Sequence, residues 1–169
     1  MEESTKTWRL KRGSDRRVRA GHPWIYSNEL KESPKGITPG QKVQLADPVG
    51  RFLAHGYGNP SSLIAFRVVS RVESDTEWDS LPRITARLQA AWDFRVGLGL
   101  DQASFRWMFG EGDDFPGLIL DVYQLESGKR VVAIQAHTAG VDRLLSVIIQ
   151  AVESIAEPVS IVIRNDVSQ

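Results

Sequence analysis

Short apolar runs separated by turn residues fill the first 72 residues of the chain. Runs of this length, rich in β-branched and aromatic residues and bounded by Pro, Gly, Asn and Asp, are typical of strands in a small β-barrel or sandwich. Residues 47–50 are predicted to form a hairpin turn between the strand that ends at residue 45 and the strand that begins at residue 52. The predicted strands lie at 24–26, 43–45, 52–57 and 63–69.

The last of these runs has an alternation that predicts one buried face. Ile64, Phe66 and Val68 fall on one side of an extended chain, and Arg67 falls on the other. Because successive side chains of a strand point to opposite faces, the apolar set is predicted to be buried and Arg67 to point away from the core.

An acidic segment at 73–79 lacks apolar periodicity and is predicted to separate two domains, residues 1–72 and residues 73–169. The second domain is predicted to begin with a helix that is capped by Asp79 or Ser80 and carries Pro82 in its first turn. The apolar stripe of this helix consists of Ile84, Leu88, Ala91 and Trp92.

The remainder of the second domain alternates between the two periodicities. Strands are predicted at 105–109, 118–123, 131–135 and 159–163, so the domain is expected to be α+β. Spacings of three and four residues predict one further helix, whose stripe is Val141, Leu144, Leu145, Ile148, Val152 and Ile155.

Charge distinguishes the two domains. Residues 1–72 hold 13 Lys and Arg against 6 Asp and Glu, a net charge of +7, whereas residues 73–169 hold 8 against 15, a net charge of −7. A basic domain attracts phosphate groups and an acidic one does not, so the two domains are expected to meet different partners.

The composition excludes several classes of site. The chain has no cysteine, so disulfides, thiolate metal sites and a cysteine nucleophile are excluded within these residues. No apolar run approaches the ~20 residues of a membrane span, and 41% hydrophobic with 25% charged residues is typical of a soluble domain. We therefore expect a cytoplasmic protein without a membrane partner.

The segment at 9–26 is the strongest candidate for a binding surface. It contains six Lys or Arg residues, followed by two aromatic residues, Trp24 and Tyr26. Guanidinium groups bind phosphate oxygens and aromatic faces stack on unpaired bases, so contact with RNA is one interpretation of this segment, and no DNA partner is expected. The alternative is a solvated basic surface, with both aromatic rings in the core and His22 fastening a loop. The candidate RNA-binding residues are Lys11, Arg12, Arg16, Arg17, Arg19, His22 and Trp24.

Other clusters are assigned structural roles. The histidines His22, His55 and His137 lack metal-ligand spacing, so no metal site is predicted. The carboxylates Glu111, Asp113 and Asp114 could bind a cation or share acid–base work, but the Phe-Pro-Gly that follows favours a turn. A nucleotide or cofactor loop follows a strand and opens a helix, and neither glycine pair, at 56–58 or at 97–99, fits this pattern. No catalytic or cofactor-binding residue is predicted.

The motifs and their order resemble the front part of an enzyme family. Segments 11–17 and 21–27 resemble the opening of the PUA domain in the S-adenosylmethionine-dependent large-subunit rRNA 5-methylcytosine methyltransferases, and segments 51–54 and 56–60 resemble its next strand and turn. Segment 110–119, with Asp121 and Tyr123, is similar to the signature of the middle domain. Asp114 departs from the pattern, because family members usually have glycine there, and so does the hairpin loop at 126–128.

The resemblance implies an N-terminal PUA-like small β-barrel, a small α+β domain, and a Rossmann-like catalytic domain that is absent from this chain. In that family the missing domain holds S-adenosylmethionine and a cysteine that attacks carbon 6 of cytosine before carbon 5 is methylated. We therefore expect this chain to recognise RNA and to transfer no methyl group alone. The alternatives are a stand-alone PUA-type RNA-binding module and a homodimerisation unit that pairs exposed strand edges.

Overall fold

The computed structural model describes residues 5–164. The chain divides into two compact units between Trp78 and Asp79, a few residues after the division that the sequence suggests.

The first unit contains all four strands that the sequence predicts. They are preceded by a strand and a short helix that were not predicted, because neither shows a clear apolar period. The elements are β1 (Lys6–Arg9), α1 (Asp15–Arg19), β2 (Trp24–Tyr26), β3 (Lys42–Ala46), β4 (Phe52–Gly58) and β5 (Ile64–Ser70).

The five strands form one mixed sheet in the order β1-β3-β4-β5-β2, in which only β1 and β3 are parallel. A bridge between Leu10 and Leu30 joins the end of β1 to the segment that follows β2. The Lys11 amide donates to the Glu29 carbonyl at 2.8 Å, and the Lys31 amide donates to the Arg9 carbonyl at 2.8 Å. The two edge strands of the sheet are thus connected, as a small barrel requires.

The glycines of β4 are explained by packing. A Cβ at Gly56 would lie 2.0 Å from the Arg67 carbonyl oxygen, and one at Gly58 would lie 2.6 Å from the ring of Trp8, which is fully buried. Both positions therefore need a residue without a side chain, since neither backbone nor an indole in the core can move away cheaply.

The prediction of a single buried face for β5 is wrong. Ala65 and Val69, which alternate with the predicted apolar set, are 0% and 4% exposed. The segment after β5 packs back on the sheet: His55 Nε2 lies 2.8 Å from the Glu73 carbonyl oxygen, and the Lys42 ammonium lies over the buried Trp78 ring, 5.7 Å from its centroid. This segment belongs to the first unit although its composition reads as a linker.

The second unit confirms the predicted first helix and all four strands. The residues of the first helix that are buried are the four of the predicted stripe, and one of them, Leu88, accepts a 2.9 Å hydrogen bond from the indole of buried Trp107 through its carbonyl. The sheet has the order β6-β7-β8-β9, with β9 parallel to β8. The elements are α2 (Leu81–Gly97), β6 (Phe105–Phe109), β7 (Leu118–Gln124), β8 (Arg130–Ala136), α3 (Ala139–Arg143), α4 (Leu145–Ala156) and β9 (Ser160–Ile163).

The predicted second helix is in fact two helices, α3 and α4. Thr138 caps α3 by accepting a hydrogen bond from the Val141 amide at 3.3 Å, and the helix ends at Leu144 (φ −92°, ψ 1°). Leu144 and Leu145 still pack on the core, so the apolar spacing continues across the break. Periodicity reports which residues are buried and is insensitive to a one-residue interruption.

Among residues 5–164, no helix combines the length and apolar character that are needed to cross a membrane.

Candidate functional site

The basic segment of the first unit folds around helix α1. Asp15 begins the helix and accepts a 2.8 Å hydrogen bond from Arg19 one turn later. Val18 is the buried residue of the helix and anchors it to the core, while Arg16, Arg17 and Arg19 are exposed. The helix therefore presents its arginines to solvent from a fixed position on the barrel.

Arg19 is neutralised within the protein. Besides Asp15, its guanidinium donates to the buried carboxylate of Asp47 at 2.8 Å, and these two partners raise its pKa. Burial opposes ionisation of Asp47, but hydrogen bonds from the Arg51 amide, the Arg51 guanidinium and the Val49 amide lower the pKa of Asp47 to about 2. Arg19 thus fastens α1 to the β3–β4 hairpin and has little charge left for a phosphate.

Arg17 lies in a packed arrangement of polar and aromatic groups. Its guanidinium sits over the Tyr26 ring, 5.3 Å from the centroid, and is 3.3 Å from the Glu29 carboxylate. Its Nη2 atom is 3.1 Å from both ring nitrogens of His22. Glu29 also accepts a hydrogen bond from the Tyr26 amide at 2.8 Å. Arg17 is thus held by His22, which precedes β2 in the chain, and by Glu29, which follows it.

His22 and Trp24 stabilise the loop between α1 and β2. The Trp24 amide donates to His22 Nδ1 at 3.1 Å, and the two rings meet edge to face with centroids 5.8 Å apart. Both side chains are half-buried. This geometry gives His22 the loop-fastening role that the sequence left open, and it leaves part of the Trp24 indole accessible.

Arg12 and Arg16 are the arginines of the cluster that remain available. Both are exposed, and within the described residues neither forms an ion pair or hydrogen bond. Lys11 is also exposed, but its ammonium donates to the Asn28 carbonyl at 2.8 Å. A ligand phosphate could therefore be met by Arg12 and Arg16 without breaking an existing contact.

Arg71 is a residue of this site that the sequence did not reveal. From the end of β5 its guanidinium donates to the carbonyls of Val18 at 3.0 Å, Gly21 at 2.9 Å and His22 at 3.3 Å. These carbonyls lie at the end of α1 and in the loop that follows, so Arg71 sets the position of the basic segment. Fifty residues of sequence separate the partners, and no local pattern connects them.

The acidic cluster of the second unit is a turn, as the sequence favoured. Asp113 forms a two-pronged ion pair with Arg95, with both N–O distances 2.7 Å, and accepts from the Phe109 amide at 2.7 Å. Asp114 has φ 54° in the left-handed region, the conformation in which glycine is least strained. The described residues contain no group of His, Cys, Asp and Glu that could hold a metal ion.

Residues 9–71 match the family model described as a PUA-like domain. Over these residues the first unit is similar to PUA-like domains.

The whole chain has longer relatives. It is 28% identical over 163 residues to Ribosomal RNA large subunit methyltransferase I of Salmonella arizonae, covering 94% of this chain and 38% of the relative. It is 32% identical over 120 residues to Ribosomal RNA large subunit methyltransferase of Deinococcus radiodurans, covering 68% of this chain and 29% of the relative. The chain is homologous to these enzymes and spans well under half of their length.

Solved structures support the fold. A candidate SAM-dependent methyltransferase from Streptococcus mutans superposes with a TM-score of 0.75 at 16% identity, covering 98% of this chain and 42% of that chain. SMU.776, a candidate methyltransferase solved with SAH, gives a TM-score of 0.75 at 16% identity over 95% of this chain and 40% of that chain. The fold of this chain therefore has a counterpart in both solved structures.

The predicted RNA-binding residues fall into distinct groups in the PUA-like unit. Arg12 and Arg16 are free for a ligand, and Trp24 is partly accessible. Arg17, Arg19 and His22 are engaged in contacts within the unit. Sequence spacing could not make this separation, because the partners of these three residues include side chains outside the basic segment.

Proposed function

We propose that this chain is the RNA-recognition part of an S-adenosylmethionine-dependent rRNA methyltransferase whose target is carbon 5 of a cytosine. The observation that carries the proposal is the exposed pair Arg12 and Arg16 on the PUA-like unit of a chain homologous to rRNA methyltransferases. The choice of cytosine rests on the motif resemblance alone.

Residues 1–72 act in this proposal as the RNA-binding domain. Arg12 and Arg16 contact phosphates, Lys11 adds positive charge beside them, and Trp24 offers a face to an unpaired base. Arg17, Arg19 and His22 hold the segment that carries these contacts. The role of this chain in the proposal is to position RNA, and the methyl transfer is carried out by residues that are not among the 169 of this chain.

The residues present do not fit a site for S-adenosylmethionine. Gly56 and Gly58 lie inside strand β4 against Arg67 and Trp8, and Gly99 follows the end of helix α2 with φ 77°. A cofactor loop of the common type places its glycines after a strand and before a helix. The chain also has no cysteine to act as nucleophile, so we assign no step of methyl transfer to it.

The experiment compares RNA affinity across salt for the native chain and for R12A, R16A and R19A. A labelled single-stranded RNA and a DNA of the same sequence serve as ligands, and K129A removes an exposed charge of the second unit as control. Each lost phosphate contact on a single strand should reduce the slope of log K against log salt by about 0.7. R12A and R16A should each show this change, K129A should show none, and R19A should mainly lower stability.

Equal slopes for R12A, R16A and K129A would refute the phosphate contacts, and equal affinity for DNA would refute RNA recognition. The target base is tested in cells, by bisulfite sequencing of large-subunit rRNA with and without the gene. A missing 5-methylcytosine in the deletion strain supports the enzyme assignment. An unchanged rRNA favours an RNA-binding module without catalysis.

Neither the fold nor the comparisons support a homodimer.

A further inference from the structure

An exposed aromatic ring on the second unit stands out because its strand is otherwise mostly buried. In β6, Phe105, Trp107 and Met108 are buried, whereas Phe109 is 58% exposed. A phenylalanine that contributes little to the core at the end of a strand presents an apolar ring to solvent, where a ligand can reach it.

A guanidinium is fixed over the Phe109 ring. The Arg106 Cζ atom lies 5.4 Å from the ring centroid, and Asp121 holds the guanidinium through Nε at 2.8 Å and Nη2 at 3.1 Å. The remaining nitrogen, Nη1, has no hydrogen-bond partner among residues 5–164. The Asp121 contacts orient the cation before any ligand arrives, so little conformational freedom is lost on binding.

The backbone of Phe109 is also fixed. Its amide donates to Asp113 at 2.7 Å, and a Cβ added at Gly112 would lie 3.3 Å from Phe109 Cδ1. The Gly112 backbone therefore packs close to one edge of the ring, and a residue with a side chain there would crowd it. A second pair stands beside the same carboxylate: Arg95, the ion-pair partner of Asp113, lies 5.4 Å from the centroid of Phe94, which is 62% exposed.

The charges of this surface indicate which part of a nucleic acid it suits. Each arginine is paired with a carboxylate, and residues 73–169 carry a net charge of −7. A phosphate would gain little here, because the positive charge is already neutralised and the background is acidic. A nucleobase is uncharged, has a flat face that stacks on aromatic rings, and has acceptor edges that an arginine can reach.

We propose that Phe109 and Arg106 form a stacking site for an unpaired RNA base. The site rests on the proposed function for its ligand, since RNA is the molecule that the PUA-like unit is proposed to hold. Phe109 supplies the stacking face, and Arg106 Nη1 donates to a carbonyl or ring nitrogen of the base. The contact is insensitive to salt, unlike the phosphate contacts of the first unit.

The test measures binding of a labelled single-stranded RNA by the 169-residue chain and by its F109A variant at several salt concentrations. Loss of one stacked base should weaken binding about five- to one-hundred-fold and leave the salt slope unchanged. F109W should restore the affinity, because a larger ring stacks at least as well. L125A, which removes another exposed apolar side chain of the same unit (41% exposed), should bind like the native chain.

A photocrosslink gives an answer that does not depend on the variant folding. RNA carrying 5-iodouridine should crosslink to a peptide that contains Phe109, identified by mass spectrometry. If F109A binds within twofold of the native chain and no such peptide is found, the stacking site is wrong. In that case a changed salt slope for R16A would leave the RNA-binding function standing, whereas an unchanged slope would remove both.

Discussion

Replacement of Asp113 by alanine tests whether the acidic cluster is a structural turn or a site for chemistry. The carboxylate accepts hydrogen bonds from both terminal nitrogens of Arg95 and from the Phe109 amide, each at 2.7 Å. The two paired side chains are only 12% and 15% exposed. Removing one partner of a largely buried ion pair leaves the other unpaired, which typically costs 3–5 kcal/mol.

Because a small part of the pair still contacts water, we expect D113A to lower the free energy of unfolding of the second unit by about 3 kcal/mol. For a unit of this size, that change corresponds to a fall in Tm of about 12–24 °C. Urea unfolding followed by circular dichroism provides the free energy. The double variant R95A/D113A should be less destabilised than the sum of the single variants, because it leaves no unpaired guanidinium.

E126A is the matched control, since it removes one exposed carboxylate from a hairpin loop of the same unit. A D113A value within about 0.5 kcal/mol of E126A would show that the ion pair does not stabilise the turn. A large rise in native Tm on adding Mg²⁺, abolished in D113A, would instead support a cation site.

Three further changes test the PUA-like unit. G56A should destabilise it by about 3 kcal/mol or more, because the new Cβ would meet the Arg67 carbonyl. As a control, G97A in helix α2 of the second unit, with nothing within 4 Å, should leave the urea unfolding of the PUA-like unit unchanged. R71A should speed hydrogen exchange of the backbone amides of residues 18–22 by about tenfold or more, which corresponds to the loss of one charge-assisted hydrogen bond. Equal exchange rates in R71A and in the native chain would show that Arg71 does not order the loop. The Asp47 pKa of about 2 lies below the ordinary 3.8, so the unfolded chain binds more protons and stability is lost as the pH falls through this range. D47N should therefore be less stable at neutral pH and should lack this part of the acid dependence. If the urea midpoints of D47N and the native chain change in parallel from pH 6 to pH 2, this role of Asp47 is contradicted.

The sequence was most informative where one element has one buried face. The α2 stripe at Ile84 and Leu88 lies in the core as its spacing predicts, because burial alone determines which positions of an amphipathic helix are apolar. It was least informative where distant groups cover a surface. Val69 is buried although it lies outside the alternating set, and the alternation within β5 could not report that residues 73–78 pack back on the sheet.

The candidate site shows the same division. The basic composition of the segment identified the region, since charge is a property of the sequence itself. The separation of available Arg16 from neutralised Arg19 depends on Asp47, which is 28 residues away in the chain. The ordering role of Arg71 depends on carbonyl positions, which side-chain types do not encode.

The bridge between Leu10 and Leu30 makes residues 11–29 an insertion whose two ends are directly paired. The insertion contributes strand β2 to the sheet, where it pairs with β5. Only Val18 and Ile25 of the intervening residues belong to the buried cluster of the unit. A segment from another PUA-like protein that keeps these two apolar anchors and a strand that pairs with β5 could be exchanged at Leu10 and Leu30, and RNA preference could thereby be changed without redesigning the core.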